Sequence, residues 1–264
     1  MSKFMHAGRS LLELLLILAI GLVPVASGLT VMMYQLEKKL EENARVSAHE
    51  ALFVIDRVLD NLHSAASEAV RFSGSACDKV RGDLIDQAAR DPRIRSLMLT
   101  EGDQVYCGTL PMLAPYPVEF APGRNLRLNF DSPSTPNGVV VEYRLANTDP
   151  GVIATSYGIE LRNELHGFQD KLILLLEFDD KFIWTLGDSR DAQRPSQTEF
   201  FQEVQSSRHD YSVKVGYADG HTAREARQSI LQVLPSLALV GLLTAAITYW
   251  GIFRGRSKQR HPAA

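Results

Sequence analysis

The chain has only two cysteines, Cys77 and Cys107, so thiolates alone cannot supply the four ligands of a structural zinc site. Its seven histidines (His6, His49, His63, His166, His209, His221 and His261) are scattered. None stands in an H-E-x-x-H pair or a three-ligand spacing. There is no G-x-S-x-G elbow and no phosphate-binding loop. Internal repeats and low-complexity tracts are missing too. No metal or cofactor is expected on these grounds, and His209-Asp210 and Asp179-Asp180 read as loop and turn residues rather than catalytic groups.

Charge is also missing from two long stretches. The first, Leu11–Met33, has Glu13 as its only ionisable residue. At about 1.5 Å per residue it reaches roughly 35 Å, enough for a hydrocarbon core of about 30 Å. The second, Ile230–Phe253, carries no charge, and its Tyr249 and Trp250 sit where amphipathic rings favour a membrane interface. Ala26-Ser27-Gly28 loosely resembles a signal cleavage site, but the apolar run continues past it to Met33, which favours an anchor. Glu13, one turn inside the run, is expected to snorkel or pair locally.

The flanks set the expected orientation. Lys3 and Arg9 precede the first run, and Arg254, Arg256, Lys258 and Arg260 follow the second, with no acid among them. Both termini therefore read as cytoplasmic, and the middle as exported. Of 28 basic residues six lie in these flanks, and of 31 acidic residues only Glu13 lies outside Tyr34–Ser229. That leaves the exported segment 22 basic and 30 acidic residues, a formal charge of −8, which argues against a nucleic-acid partner.

Both cysteines fall in the exported segment, where an oxidising compartment favours a disulfide. Two cysteines allow one intramolecular pairing. Closing that loop constrains the unfolded chain by about 3.7 kcal/mol on loop entropy. The residues alone leave two roles open, a plain staple or a redox switch.

Along the exported segment, Leu36, Leu40, Ala44, Ala48, Leu52, Ile55, Leu59, Leu62, Ala66 and Ala69 step by three and four, predicting one stalk helix over Tyr34–Phe72. The stripe serves equally for packing on its own domain or for pairing with a second copy, since it is wider than a coiled-coil seam. Ser73-Gly74-Ser75 breaks the helix. A shorter helix is expected over Cys77–Ala89, then a hairpin of Ile94–Thr100 with Gln104–Cys107. Ala114–Gly123, with three prolines, reads as a loop. Strands are expected at Asn125–Phe130, Val139–Leu145 and Val152–Tyr157, and a short helix at Ile159–Phe168. Leu172–Phe178 and Phe182–Leu186 read as a hairpin, Ser189–Gln197 as a polar loop, Phe200–Val204 as a helical turn and His209–Tyr217 as a last strand. Gly220–Gln228 reads as a lead into the second apolar helix. The fold class expected is α+β, with a mostly antiparallel sheet.

This order of elements resembles the PAS-like extracellular sensor folds called Cache domains. A narrower likeness runs from Cys77 through Asp91-Pro92-Arg93-Ile94-Arg95-Ser96-Leu97 to Tyr106-Cys107-Gly108-Thr109. It resembles the CSS-motif domain, the periplasmic sensor of a class of bacterial cyclic-di-GMP phosphodiesterases. In that family two serines follow the second cysteine; here Gly108 and Thr109 stand there. The resemblance implies a periplasmic disulfide, Cys77–Cys107, whose redox state controls output. Family members with activity carry a Glu-Ala-Leu catalytic domain after the second membrane helix. Only Arg254–Ala264 follows here, too few residues for a catalytic core, so the chain is expected not to be an enzyme but a lone sensor, a fragment or half of a split gene. Glu50-Ala51-Leu52 spells the motif in the exported stalk, without its structural context, and is read as chance.

The expected layout is a cytoplasmic N-terminus (1–10), a transmembrane helix (11–33), a periplasmic sensor domain (34–229), a second transmembrane helix (230–253) and a basic cytoplasmic tail (254–264), in a bacterial inner membrane. Expected partners are the lipid bilayer, a second copy, periplasmic thiol–disulfide oxidoreductases and a separate cyclic-di-GMP enzyme. The rival reading is a non-enzymatic assembly module that regulates a membrane partner, with a structural disulfide.

Overall fold

The structure, a computed structural model, describes residues 2–112, 114–132, 135–145, 149–168, 171–191 and 193–258, with side chains within 13–252. The basic flanks that set the expected orientation lie outside those side chains. The chain divides into two compact units, one of residues 1–41 with 220–264 and one of residues 42–219.

The first unit is a pair of helices. α1 (Ser2–Ala69) contains the first apolar run, and α4 (His221–Lys258) the second. Both are long and apolar enough to cross a membrane. Their outward side chains are bare, as at Leu14 and Leu242, which are 66% and 72% exposed; such faces suit lipid rather than water. The lead expected at Gly220–Gln228 is helical from His221 on. Polar side chains within the runs bond to their own helix: Thr30 Oγ1 donates to the Ala26 carbonyl at 2.9 Å and Thr244 Oγ1 to the Val240 carbonyl at 2.8 Å.

Glycine lets the two helices approach. A Cβ added to Gly241 would lie 2.6 Å from the Gly21 carbonyl oxygen, and one added to Gly28 would lie 2.7 Å from Leu237 Cδ2. Small residues at a contact are how membrane helices gain packing without a hydrophobic drive between them. Gly241→Leu is therefore expected to separate the pair. Cysteines introduced by Gly28→Cys and Leu237→Cys should cross-link in an otherwise native chain and fail to do so beside Gly241→Leu. Equal cross-linking in both would mean the glycines do not set the approach.

The second unit is α+β, as expected. The part of α1 within it turns a stripe of Ala44, Ala48, Ala51, Ile55, Leu59, Leu62, Ala66 and Ala69 inward, each at most 1% exposed. The repeated alanines keep the helix close to what it covers. α1 ends in a 3-10 turn, Val70–Phe72, and α2 (Cys77–Ala88) follows. The first sheet contains β1 (Ser96–Glu101), β2 (Gln104–Gly108), β3 (Tyr116–Pro117), β4 (Leu126–Phe130), β5 (Val139–Arg144) and β6 (Gly151–Tyr157), in the order β3-β2-β1-β6-β5-β4. After α3 (Gly158–His166) come β7 (Ile173–Phe178), β8 (Lys181–Trp184), β9 (Glu199–Gln205) and β10 (Ser212–Tyr217), in the order β8-β7-β10-β9. All neighbouring strands pair antiparallel.

Three local expectations differ. There are two sheets where one was expected, because α3 interrupts the strand run. The helical turn expected at Phe200–Val204 is strand β9. Apolar residues at 200, 201 and 204 imitate a helical spacing, but pairing with β10 (Val213 opposite Val204, Tyr217 opposite Glu199) decides the conformation. The loop expected at Ala114–Gly123 contains the two-residue strand β3, whose Pro117 is tolerated because β3 is the edge of its sheet.

Candidate functional site

The two cysteines come together at the junction between α1 and the first sheet. Cys77 opens α2; Cys107 lies in β2. They form a disulfide with Cα atoms 5.3 Å apart. Cys107 is fully buried, while Cys77 is partly exposed.

A local irregularity in β2 brings a second fastening to the same place. Opposite β1, Leu99 pairs with Cys107 and Thr100 with Val105, so Tyr106 is the extra residue of a bulge. A bulge breaks strict alternation and re-aims a side chain. Tyr106 and its neighbour Cys107 both reach the 73–77 segment. The Gly74 N–H donates to Tyr106 Oη at 2.9 Å. Gly74 has φ +78°, which a residue without Cβ adopts freely, so the chain can turn sharply between α1 and α2. α2 is tied back to α1 as well. Gln87 bonds Glu68 through Nε2 and accepts from Arg71 Nη2 at 3.3 Å.

The departure from the two serines has a local geometry. A Cβ on Gly108 would lie 3.1 Å from Met112 Sδ and 3.5 Å from Met98 Cγ, so little room is left for a side chain. Thr109 extends the ladder: its N–H donates to the Leu97 carbonyl at 3.0 Å, and its Oγ1 accepts from the Leu97 N–H at 3.3 Å.

Farther along α1, a polar joint grips the helix. Asp56 is buried. It accepts from Ser206 Oγ at 2.8 Å, and Tyr211 Oη lies 2.8 Å from the same oxygen. Asp60 accepts from Arg208 Nη1 at 2.6 Å and meets His209 Nε2 at 3.0 Å. His63 Nδ1 lies 2.8 Å from Tyr143 Oη on β5. The Tyr143 ring sits edge-on to both His63 and His209, with centroids 5.7 and 6.0 Å away. Burial and then the Asp56 carboxylate hold the Tyr211 phenol well above its usual range, so it stays a neutral donor. Asp210, on the β9–β10 turn, accepts from Arg124 Nη1 and the Asn125 N–H, at 3.4 and 3.2 Å. One turn thus holds both α1 and the start of β4.

The sequence reading named Cys77 and Cys107; it missed Tyr106 as a fastener and the Asp56–Asp60 joint. The aromatic residue before the second cysteine was the available signal for the first. The joint had none, because its members are up to 155 residues apart and its acids look like ordinary solvent-facing stalk residues. Among the described residues no group of three His, Cys, Asp or Glu side chains is placed to hold a metal ion.

A family model described as the CSS motif domain associated with EAL matches residues 40–230. Comparison with curated proteins gives no match. Among solved structures, the chain is similar to an extracellular ligand binding receptor from Desulfohalobium retbaense, at 7% identity and a TM-score of 0.45. The match takes in 66% of this chain but only 40% of that receptor, so the chain spans well under half its length. It is also similar to extracellular domains attributed to two histidine kinases. For rpHK1S-Z16 the identity is 15% and the TM-score 0.38, over 74% of this chain and 96% of that one. For soHK1S-Z6 they are 11% and 0.47, over 73% and 98%.

Proposed function

This chain belongs to the CSS-motif domain family, and from that premise we propose that it is a membrane-anchored, non-catalytic sensor segment whose Cys77–Cys107 disulfide is the input. The observation that carries the reading is the position of the bond. It lies beside the Tyr106–Gly74 contact, at the turn where α1 gives way to α2, and α1 is also the helix that contains the first apolar run. A two-state element must be biased by its input. Reduction would release the first turn of α2 from β2 and leave the junction held by weaker contacts. The response would then pass along α1 to the apolar helices.

In this reading the helices lie in a bacterial inner membrane, the domain is periplasmic, both termini are cytoplasmic, and the layout follows the boundaries 1–10, 11–33, 34–229, 230–253 and 254–264. The partners are a thiol–disulfide oxidoreductase and a separate cyclic-di-GMP enzyme, with a second copy along the exposed face of α1 at Val46 and Phe53. The link to cyclic-di-GMP follows from the family's association with EAL.

The test is cyclic-di-GMP measured in the native host. Wild type is expected to give different levels under oxidising and reducing periplasmic conditions. A Cys77→Ser, Cys107→Ser double variant should stay at the reducing level under both. A folded double variant indistinguishable from wild type would leave the disulfide as a staple and overturn the proposal.

A further inference from the structure

The two sulfurs of the bridge are not equivalent. Cys107 is fully buried within β2, where it pairs with Leu99 of β1 and is followed by the buried Gly108. Cys77 is partly exposed, and its neighbours Ala76, Asp78 and Lys79 are exposed. A thiolate must approach the sulfur it attacks in line with the bond it breaks, from the side away from the leaving sulfur. Cys77 is partly open to such an approach, whereas Cys107 has no surface exposed to it. In the oxidising direction, where a thiolate must attack, the opening residue of α2 lies where a helix favours negative charge, a field it shares with Asp78.

We infer that Cys77 is the exchanging sulfur of this domain and Cys107 the resolving one, with a dithiol oxidoreductase as the reacting partner. This rests on the reading of the disulfide as a redox input. In reduction, the partner's thiolate bonds to Cys77 Sγ. The Cys77–Cys107 bond breaks, and its electron pair leaves on Cys107 Sγ, which takes up a proton. The partner's second thiolate then attacks its own sulfur in the mixed disulfide and releases Cys77 as a thiolate. The domain has gained two electrons, and the partner's dithiol has become a disulfide. Reoxidation runs in reverse: the Cys77 thiolate attacks the partner's disulfide, and Cys107 closes the ring by attacking Cys77.

The assignment is tested on the wild-type full-length chain in detergent, so that no variant needs to fold. Reduced glutathione is added, the reaction is stopped early with N-ethylmaleimide, and peptides are read by mass spectrometry. Glutathione is expected on Cys77 and the maleimide on Cys107, with about tenfold or greater bias that falls to near unity in urea, where access no longer differs. Glutathione mainly on Cys107, equal labelling in the native chain, or no native adduct on either sulfur would overturn it. If the serine variants leave cyclic-di-GMP unchanged while the adduct stays on Cys77, the functional reading fails and the exchange assignment stands.

Discussion

Replacing Cys77 and Cys107 together by serine is expected to lower the stability of the 42–219 unit by about 2–5 kcal/mol. The bond spans a sequence separation of 30 residues, for which loop entropy alone gives about 3.7 kcal/mol. Domains carry about 5–15 kcal/mol in all, so a unit above the low end of that range stays folded when reduced, with a junction easier to open. Tyr106→Phe removes the acceptor of the Gly74 N–H and should cost about 1 kcal/mol in the oxidised chain. The two changes act on one short segment, so their effects should not add. A double-mutant cycle, read by denaturant unfolding of the full chain in one detergent, should give a coupling of about 0.5 kcal/mol or more. Strict additivity would mean that the hydroxyl and the disulfide hold the junction independently. Hydrogen exchange should then locate the opening, with protection lost first at residues 73–79 on adding reductant.

How far the sequence reaches is visible at this same junction. Helical spacing carried α1 and α2, alternation carried β4, and short apolar runs between turn residues carried strands such as β5 and β6, which are buried on both faces. The cysteine pair was legible because two thiols in one compartment have a single pairing. The β2 bulge was not legible: nothing in Gln104–Gly108 alone shows that Tyr106 is the extra residue, since that depends on the register of β1 opposite. Phe200–Val204 failed for a related reason, its conformation being decided by β10. The joint around Asp56 and Asp60 is assembled from α1, β5 and the β9–β10 turn, so its contacts exist only after the two sheets have formed. Local physics fixes elements; long-range pairing fixes which polar groups end up together.

Asp188→Ala is expected to be the other severe change, costing about 3 kcal/mol or more. Asp188 follows β8, just ahead of the segment Ser189–Gln197 read as a polar loop, and its side chain is only 5% exposed. Four donors converge on it: Arg162 Nη2 at 2.7 Å, Arg190 Nη2 and Nε at 2.8 Å each, and the Arg190 backbone N–H at 3.1 Å. Arg190 also reaches Asp131, just past β4, at 2.6 Å, so the network ties the second sheet to the first. Removing the carboxylate leaves two guanidiniums facing each other. They are 21% and 34% exposed, so water offsets part of the loss and the low end of the range applies. A Cβ on Gly187 beside it would lie 1.8 Å from Asp191 Oδ2 and 2.8 Å from Trp184 Nε1, so a side chain there would have to displace the Asp191 carboxylate. The Arg190 hydrogen bonds, with Arg162, hold the Asp188 carboxyl at about 2, below the unfolded value of about 3.9. A depressed carboxyl stabilises the fold above the unfolded value and loses that contribution as pH falls through the folded one. The contribution is therefore full above about pH 4 and fades towards pH 2, an amount of about 2–3 kcal/mol. Asp188→Asn keeps the shape and removes the titration. Unfolding measured at pH 5 and pH 2 should show wild type well above Asp188→Asn at the higher pH and the gap largely closed at the lower. A gap of equal size at both would mean that shape, not charge, holds the two sheets together here.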